Sequence, residues 1–152
     1  MKKAVLKTLY FLIWPFVFIY APMRVRSRIM VIKNNSYLAV KHSIGSNKWS
    51  LPGGGVKRGE DYKAAAIREL SEELGIVIQP NDVHELVGLT TYNEGGHMLR
   101  YVIFVAKIAG EVTFSHNHEI SEVGWPSVHE QNTSNHVNLA MQRATSRGYL
   151  LK

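Results

Sequence analysis

Cysteine is missing from the chain altogether, which excludes a disulfide framework, a thiolate metal site and a cysteine nucleophile. Acidic residues are missing from the first 58 positions. That segment carries eleven Lys or Arg and has a charge of +11, whereas residues 59–152 carry seven against twelve acids and sum to −5. The overall +6 therefore hides two parts of opposite sign. A basic segment beside an acidic one suits a polyanionic substrate or an anionic membrane surface. No nucleic-acid-binding motif accompanies the charge, so a specific nucleic acid is not an expected partner. Internal repeats and low-complexity tracts are also lacking, and 152 residues with 45% hydrophobic content form one globular domain with a real core.

A long apolar run is the last absence. Residues 9–23 are uncharged and rich in aromatics, but they number 15, short of the roughly 20 that span a bilayer, and Pro15 would kink a helix near its middle. A secretory signal is disfavoured because Ile19-Tyr20-Ala21 before Pro22 lacks the small-x-small cleavage pattern. Two readings of this N-terminal apolar arm (residues 1–23) stand open. One is packing on the domain or on a second copy of the chain as a homodimer. The other is contact of residues 9–23 with a membrane surface, suggested by Lys2, Lys3 and Lys7 before the run and Arg24, Arg26 and Arg28 after it. The expected location is the cytoplasm, with membrane association as the alternative.

From residue 25 the pattern becomes that of strands. Val25, Ser27, Ile29 and Val31 alternate with Arg26, Arg28 and Met30, and the Lys33-Asn34-Asn35 turn leads to a second strand over residues 36–41. A polar loop over residues 42–48 follows, and then Trp49-Ser50-Leu51-Pro52-Gly53-Gly54-Gly55, whose three glycines allow a backbone to approach a ligand closely. Residues 83–91 and 99–106 read as strands joined through residues 92–96. Short strands are expected over residues 111–114 and 121–125, and an amphipathic helix over residues 134–146. The order is that of an α+β fold with a mixed sheet between two helices.

The stretch that organises the chain is Gly54 to Ile76. Glu60 and Asp61 favour a helix start, Ala64, Ala65 and Ala66 favour its body, and Gly75 suits the left-handed residue that ends it. The predicted helix spans residues 61–74. On it Glu69, Glu72 and Glu73 lie at i, i+3 and i+4, away from Ile67, Leu70 and Leu74. Carboxylates this close repel one another, and at least one should have a raised pKa. Hard oxygen donors at this spacing suit Mg²⁺ or Mn²⁺ shared with substrate phosphates, and Arg68 is placed to brace one of the carboxylates.

The spacing is Gly, five residues, Glu, seven residues, Arg-Glu, an aliphatic residue, one residue, Glu-Glu, one residue, Gly and an aliphatic residue. Gly54, Glu60, Arg68, Glu69, Leu70, Glu72, Glu73, Gly75 and Ile76 fill its fixed positions, and the pattern resembles the box of the Nudix hydrolases. The resemblance covers about residues 24–144, within a domain drawn at residues 24–152. It implies an α/β/α sandwich and an enzyme acting on phosphoric anhydride bonds.

By the same resemblance, Gly54, Glu69, Glu72 and Glu73 hold the metal, Mg²⁺ with Mn²⁺ as the alternative. Glu69 or Glu119 serves as general base, and Glu60 and Arg68 brace the loop and helix. The catalytic set expected is Arg68, Glu69, Glu72, Glu73 and Glu119, and the substrate-binding set is Trp49, Gly53, Gly54, Gly55 and Tyr92. Tyr92 stands where members acting on dinucleoside polyphosphates often have a tyrosine. The lack of cysteine argues against the related isopentenyl diphosphate isomerase branch. The substrate expected is a nucleoside diphosphate linked to another moiety: a nucleoside triphosphate, a dinucleoside polyphosphate or a nucleotide sugar. A nucleotide-sensing module without turnover and a hydrolase of lipid-linked diphosphates are the alternatives.

Overall fold

The structure is a computed structural model that describes residues 25–94, 96–116 and 118–151. The apolar arm of residues 1–23 lies outside the described residues. Strand β1 (Val25–Lys33) is the spine of the main sheet. It pairs parallel with β6 (His97–Lys107) and antiparallel with β2 (Ser36–Tyr37) and with β4 (Gly53–Gly55), and β5 (Val83–Glu94) pairs antiparallel with β6. The main sheet is therefore mixed. A second, two-stranded sheet joins β3 (Ala39–His42) to β7 (Ile120–Gly124).

Helices α1 (Tyr62–Leu74) and α2 (Asn135–Ser146) take opposite faces of the main sheet. Alternation along β1 decides which residue meets which helix. Ile29 and Val31 join Ala66, Leu70, Leu74 and Val102 in the α1-side core. Met30 and Ile32 join Leu51, Ile103, Val137, Ala140 and Ala144 in the α2-side core. The α/β/α sandwich is thus built from a strand whose two faces are both buried, which is why β1 reads as nearly continuous apolar sequence after Arg28.

Several elements differ from the sequence reading. The single strand expected over residues 36–41 divides at Leu38, whose N–H donates to Val31 O at 2.8 Å, and β3 then leaves the main sheet for β7. The triple glycine, read from the sequence only as backbone able to approach a ligand, forms strand β4, held against β1 in the register Arg28↔Gly53, Ser27↔Gly54 and Arg26↔Gly55. No strand forms over residues 111–114, because Glu111, Thr113 and Phe114 face solvent without a partner strand while Val112 alone packs on the core. Tyr92 and Asn93 belong to β5 rather than to a connecting loop. Among the described residues, no helix is long and apolar enough to cross a membrane.

Candidate active site

The site is assembled where β4 lies between β1 and α1. Asp61 caps α1 by accepting from Ala64 N–H at 3.0 Å, and Gly75 ends it in the left-handed region at φ 68°. Ser27 Oγ donates to Tyr62 O at 2.6 Å, pinning the start of the helix to the spine strand. Gly53 is forced to be glycine, because at φ 129° an added Cβ would overlap Ser27 O and approach Arg28 Cα. Gly54 lies against Glu69: a Cβ there would fall 2.5 Å from the Glu69 carboxylate.

The acidic face of α1 divides into three environments. Glu73 turns inward, 8% exposed, and accepts from Gly53 N–H at 2.9 Å. Glu69 is half-buried against Gly54 and accepts from Arg68 Nη1 at 2.6 Å. Glu72 faces solvent, bound to Arg68 Nη1 at 3.2 Å and Lys57 Nζ at 3.8 Å. Arg68 also grips Glu60 with two donors, at 2.7 and 3.0 Å, and donates to Gly55 O at 3.2 Å. It braces two carboxylates beyond Glu69, where one was expected, and this explains how the box tolerates so many like charges. Among the described residues, no three His, Cys, Asp or Glu side chains converge on one metal-sized point, since Arg68 draws Glu72 outward and Gly53 draws Glu73 inward.

The pKa pattern follows the same geometry. Burial pushes Glu73 up to about 6, against the pull of Arg28 and the Gly53 N–H, with Glu69 and Glu119 adding smaller upward pushes. The rise expected from like charges is therefore present but has burial as its main cause. Hydrogen bonds from Arg68 and the Lys57 N–H hold Glu60 down to about 2, and the same pairing raises Arg68. A carboxylate lowered in this way lends stability that is complete above about pH 4.5 and lost as pH falls through about 2. Glu60→Gln should accordingly lower the melting temperature at pH 7. Thermal melts at pH 7, 4 and 2.5 should show the gap from wild type closing toward the acid end, and a gap independent of pH would contradict the assignment.

Glu69, Glu73 and Glu119 line one open cleft of about 550 Å³ together with Gly53, Gly54 and Gly55. Arg26, Arg28 and Lys48 supply cations to the same cleft. The lining does not include Glu72, Arg68, Trp49 or Tyr92. The Trp49 ring instead packs against Gly124 and carries Lys41 Nζ 4.3 Å from its centroid, and Tyr92 packs on the α2-side core.

The sequence reading missed Arg28 and His136. Arg28 is 5% exposed and donates through Nη1 to Leu51 O and Gly53 O at 2.8 and 2.5 Å, while its buried Nε has no partner. Burial lowers its pKa, chiefly against the upward pull of Glu73. The available signal was an arginine in a strand otherwise buried on both faces. His136 Nε2 accepts from Leu51 N–H at 3.3 Å and lies 3.2 Å from Ser50 Oγ, with its ring stacked 5.2 Å from that of Tyr101. It ties α2 to the Ser50-Leu51 segment that leads into β4.

The donor set fits a hard divalent cation. Glu69 and Glu73 are carboxylates on one cleft, and Gly54 meets Glu69 so closely that no side chain fits between them. A mixed sheet between two helices, with a glycine strand backed by helix carboxylates, defines a Nudix-type domain. The NUDIX domain family matches residues 23–145, and the chain belongs to that family. It is 35% identical over 92 residues to an RNA pyrophosphohydrolase of Pelagibacter ubique, covering 59% of this chain and 57% of that protein. The chain thus spans little more than half of that relative. It is also 29% identical over 117 residues to the nucleoside triphosphatase NudI of an Enterobacter species, covering 68% of this chain and 82% of the relative. Among solved structures, a MutT NUDIX hydrolase from Burkholderia pseudomallei superposes with a TM-score of 0.69 at 22% identity, covering 80% of this chain and 98% of the other, a likeness of fold.

Proposed function

We propose that the cleft hydrolyses a phosphoanhydride of a nucleoside diphosphate linked to another moiety, with a nucleoside triphosphate, a dinucleoside polyphosphate or a nucleotide sugar as the substrate. The observation that carries this reading is the juxtaposition in one cleft of Glu69 and Glu73, set against glycine backbone, with the cations Arg26, Arg28 and Lys48. Carboxylates alone would repel a polyphosphate. Cations alone would bind it without supplying a route to hydrolysis.

Gly54, Glu69, Glu72 and Glu73 would hold Mg²⁺ or Mn²⁺. Glu72 lies outside the cleft lining and would join by exchanging its Arg68 and Lys57 contacts. The metal supplies charge neutralisation of the diphosphate and activation of water near neutral pH. Arg26 and Lys48 bind phosphate oxygens and orient the chain of anhydrides. Arg28 fixes the carbonyls of Leu51 and Gly53 and so sets the direction of the glycine strand. Glu69 and Glu119, both on the cleft, are the groups available to take the proton from the attacking water. The relatives named as an RNA pyrophosphohydrolase and a nucleoside triphosphatase agree with chemistry at a phosphoanhydride.

The test is a panel of nucleoside triphosphates, dinucleoside polyphosphates and nucleotide sugars with and without Mg²⁺, read by product chromatography. Metal-dependent release of a nucleoside monophosphate from at least one class is expected. No product from any of them would contradict the reading. Mg²⁺ alone should also raise the melting temperature by mass action, since it binds the assembled site and not the unfolded chain.

A further inference from the structure

Beside the cleft lies a second cavity of about 390 Å³, lined by His42, Ser43, Ile44, His118 and Glu119. It shares His42, Ile44 and Glu119 with the cleft, so one molecule can occupy both. Its walls are tied together by two hydrogen bonds: Ser43 N–H donates to Glu119 O at 2.9 Å, and Ser43 Oγ donates to His118 O at 2.8 Å. The cavity is therefore held in shape by bonds between the two loops that form it.

Its chemistry differs from that of the cleft. Arg26, Arg28 and Lys48 line the cleft and not this cavity. Ile44 is 92% exposed on the shared wall, and an aliphatic side chain left in water gains most from a flat apolar face laid over it. Burial, reinforced by Arg28 and Arg26, holds His42 below its ordinary value, so near neutral pH it offers an uncharged ring and not a further phosphate contact. The volume falls in the range of about 300–1,000 Å³ typical of small-molecule sites.

We infer that this cavity is the subsite for the nucleobase of the substrate, with Ile44 and His118 as specificity-determining contacts and the phosphates lying in the adjoining cleft. The inference rests on the hydrolase reading above. Inorganic tripolyphosphate offers the same anhydride without base or sugar, so steady-state kinetics with it and with the best nucleotide of the panel separate the two subsites. In Ile44→Ala and in His118→Ala, the ratio of kcat/KM for nucleotide to that for tripolyphosphate should fall about fivefold to tenfold, mainly through KM. An unchanged ratio in both variants would overturn the inference. Wild-type protein that hydrolyses neither compound would instead count against the hydrolase reading. In that event NMR titration with a nucleoside monophosphate still reads the subsite: weaker binding to the variants supports it, and equal binding to all three proteins overturns it.

Discussion

Glu73→Gln is expected to lower kcat by about a hundredfold to a thousandfold, the usual cost of losing one electrostatic contact to the reacting groups. The same change should leave the metal-free protein as stable as wild type or more so at neutral pH. Glu73 is 8% exposed and its carboxyl is raised to about 6. Because the folded protein holds this proton more tightly than the unfolded chain, its stabilisation is fully present below about pH 4.5 and is lost as pH rises through about 6. By neutral pH that loss amounts to about 2 kcal/mol. Glutamine keeps an acceptor for the Gly53 N–H and removes the buried charge. Arg28 loses a counter-charge in the variant, but the raised value of Glu73 shows that burial outweighs that attraction. Thermal melts between pH 4.5 and 7 should show a decline in wild type that is smaller in the variant, and parallel curves would contradict the argument.

Gly53→Ala should cost about 3 kcal/mol or more and lower the melting temperature by about 10 °C. The reason is backbone against backbone. At φ 129° the new methyl would press on Ser27 O and Arg28 Cα in the paired strand, and neither can rotate away. Relief requires β4 to separate from β1, which breaks the contact of Gly53 N–H with Glu73 and the Arg28 bonds to Leu51 O and Gly53 O. Turnover should fall with stability. Gly55→Ala is the control, because nothing lies within 4 Å of its added Cβ. Comparable melting temperatures for the two variants would show that the close approach of β4 to β1 is not what constrains this segment.

The difference between these two glycines marks where sequence reading reaches its limit. Helix α1 was legible almost to the residue, from the acidic residues at its start to Gly75 as its stop, because end charge, alanine content and glycine termination are local properties, although Asp61, read as the first helical residue, caps the helix instead. The division of Ile29 and Val31 from Met30 and Ile32 was legible as alternation, and it gives the two cores. Strand β4 was not legible. Three glycines carry no pattern of their own, and their extended form comes from pairing with β1, between 25 residues away at Arg28↔Gly53 and 29 at Arg26↔Gly55.

The same distinction explains the site. Helical spacing put Glu69, Glu72 and Glu73 on one sector, but their fates depend on what packs across from each: Gly53 N–H for Glu73, Gly54 backbone for Glu69, solvent and Lys57 for Glu72. Arg28 escaped notice because its role lies in carbonyls supplied by a different strand. Trp49 and Tyr92 belong to the expected substrate-binding set by their place in the chain, whereas tertiary packing directs them to Gly124 and to the α2-side core.

On the proposed function, water attacks phosphorus in the cleft formed by β4 and α1. Turnover of the best nucleotide substrate with Mg²⁺ in ¹⁸O-labelled water, with the products read by mass spectrometry, tests it most directly. The expected result is one ¹⁸O in a single phosphorus-containing product of wild type, with no labelled product from Glu73→Gln above its hundredfold-reduced rate. Unlabelled products, or labelling at the wild-type rate in Glu73→Gln, would contradict it.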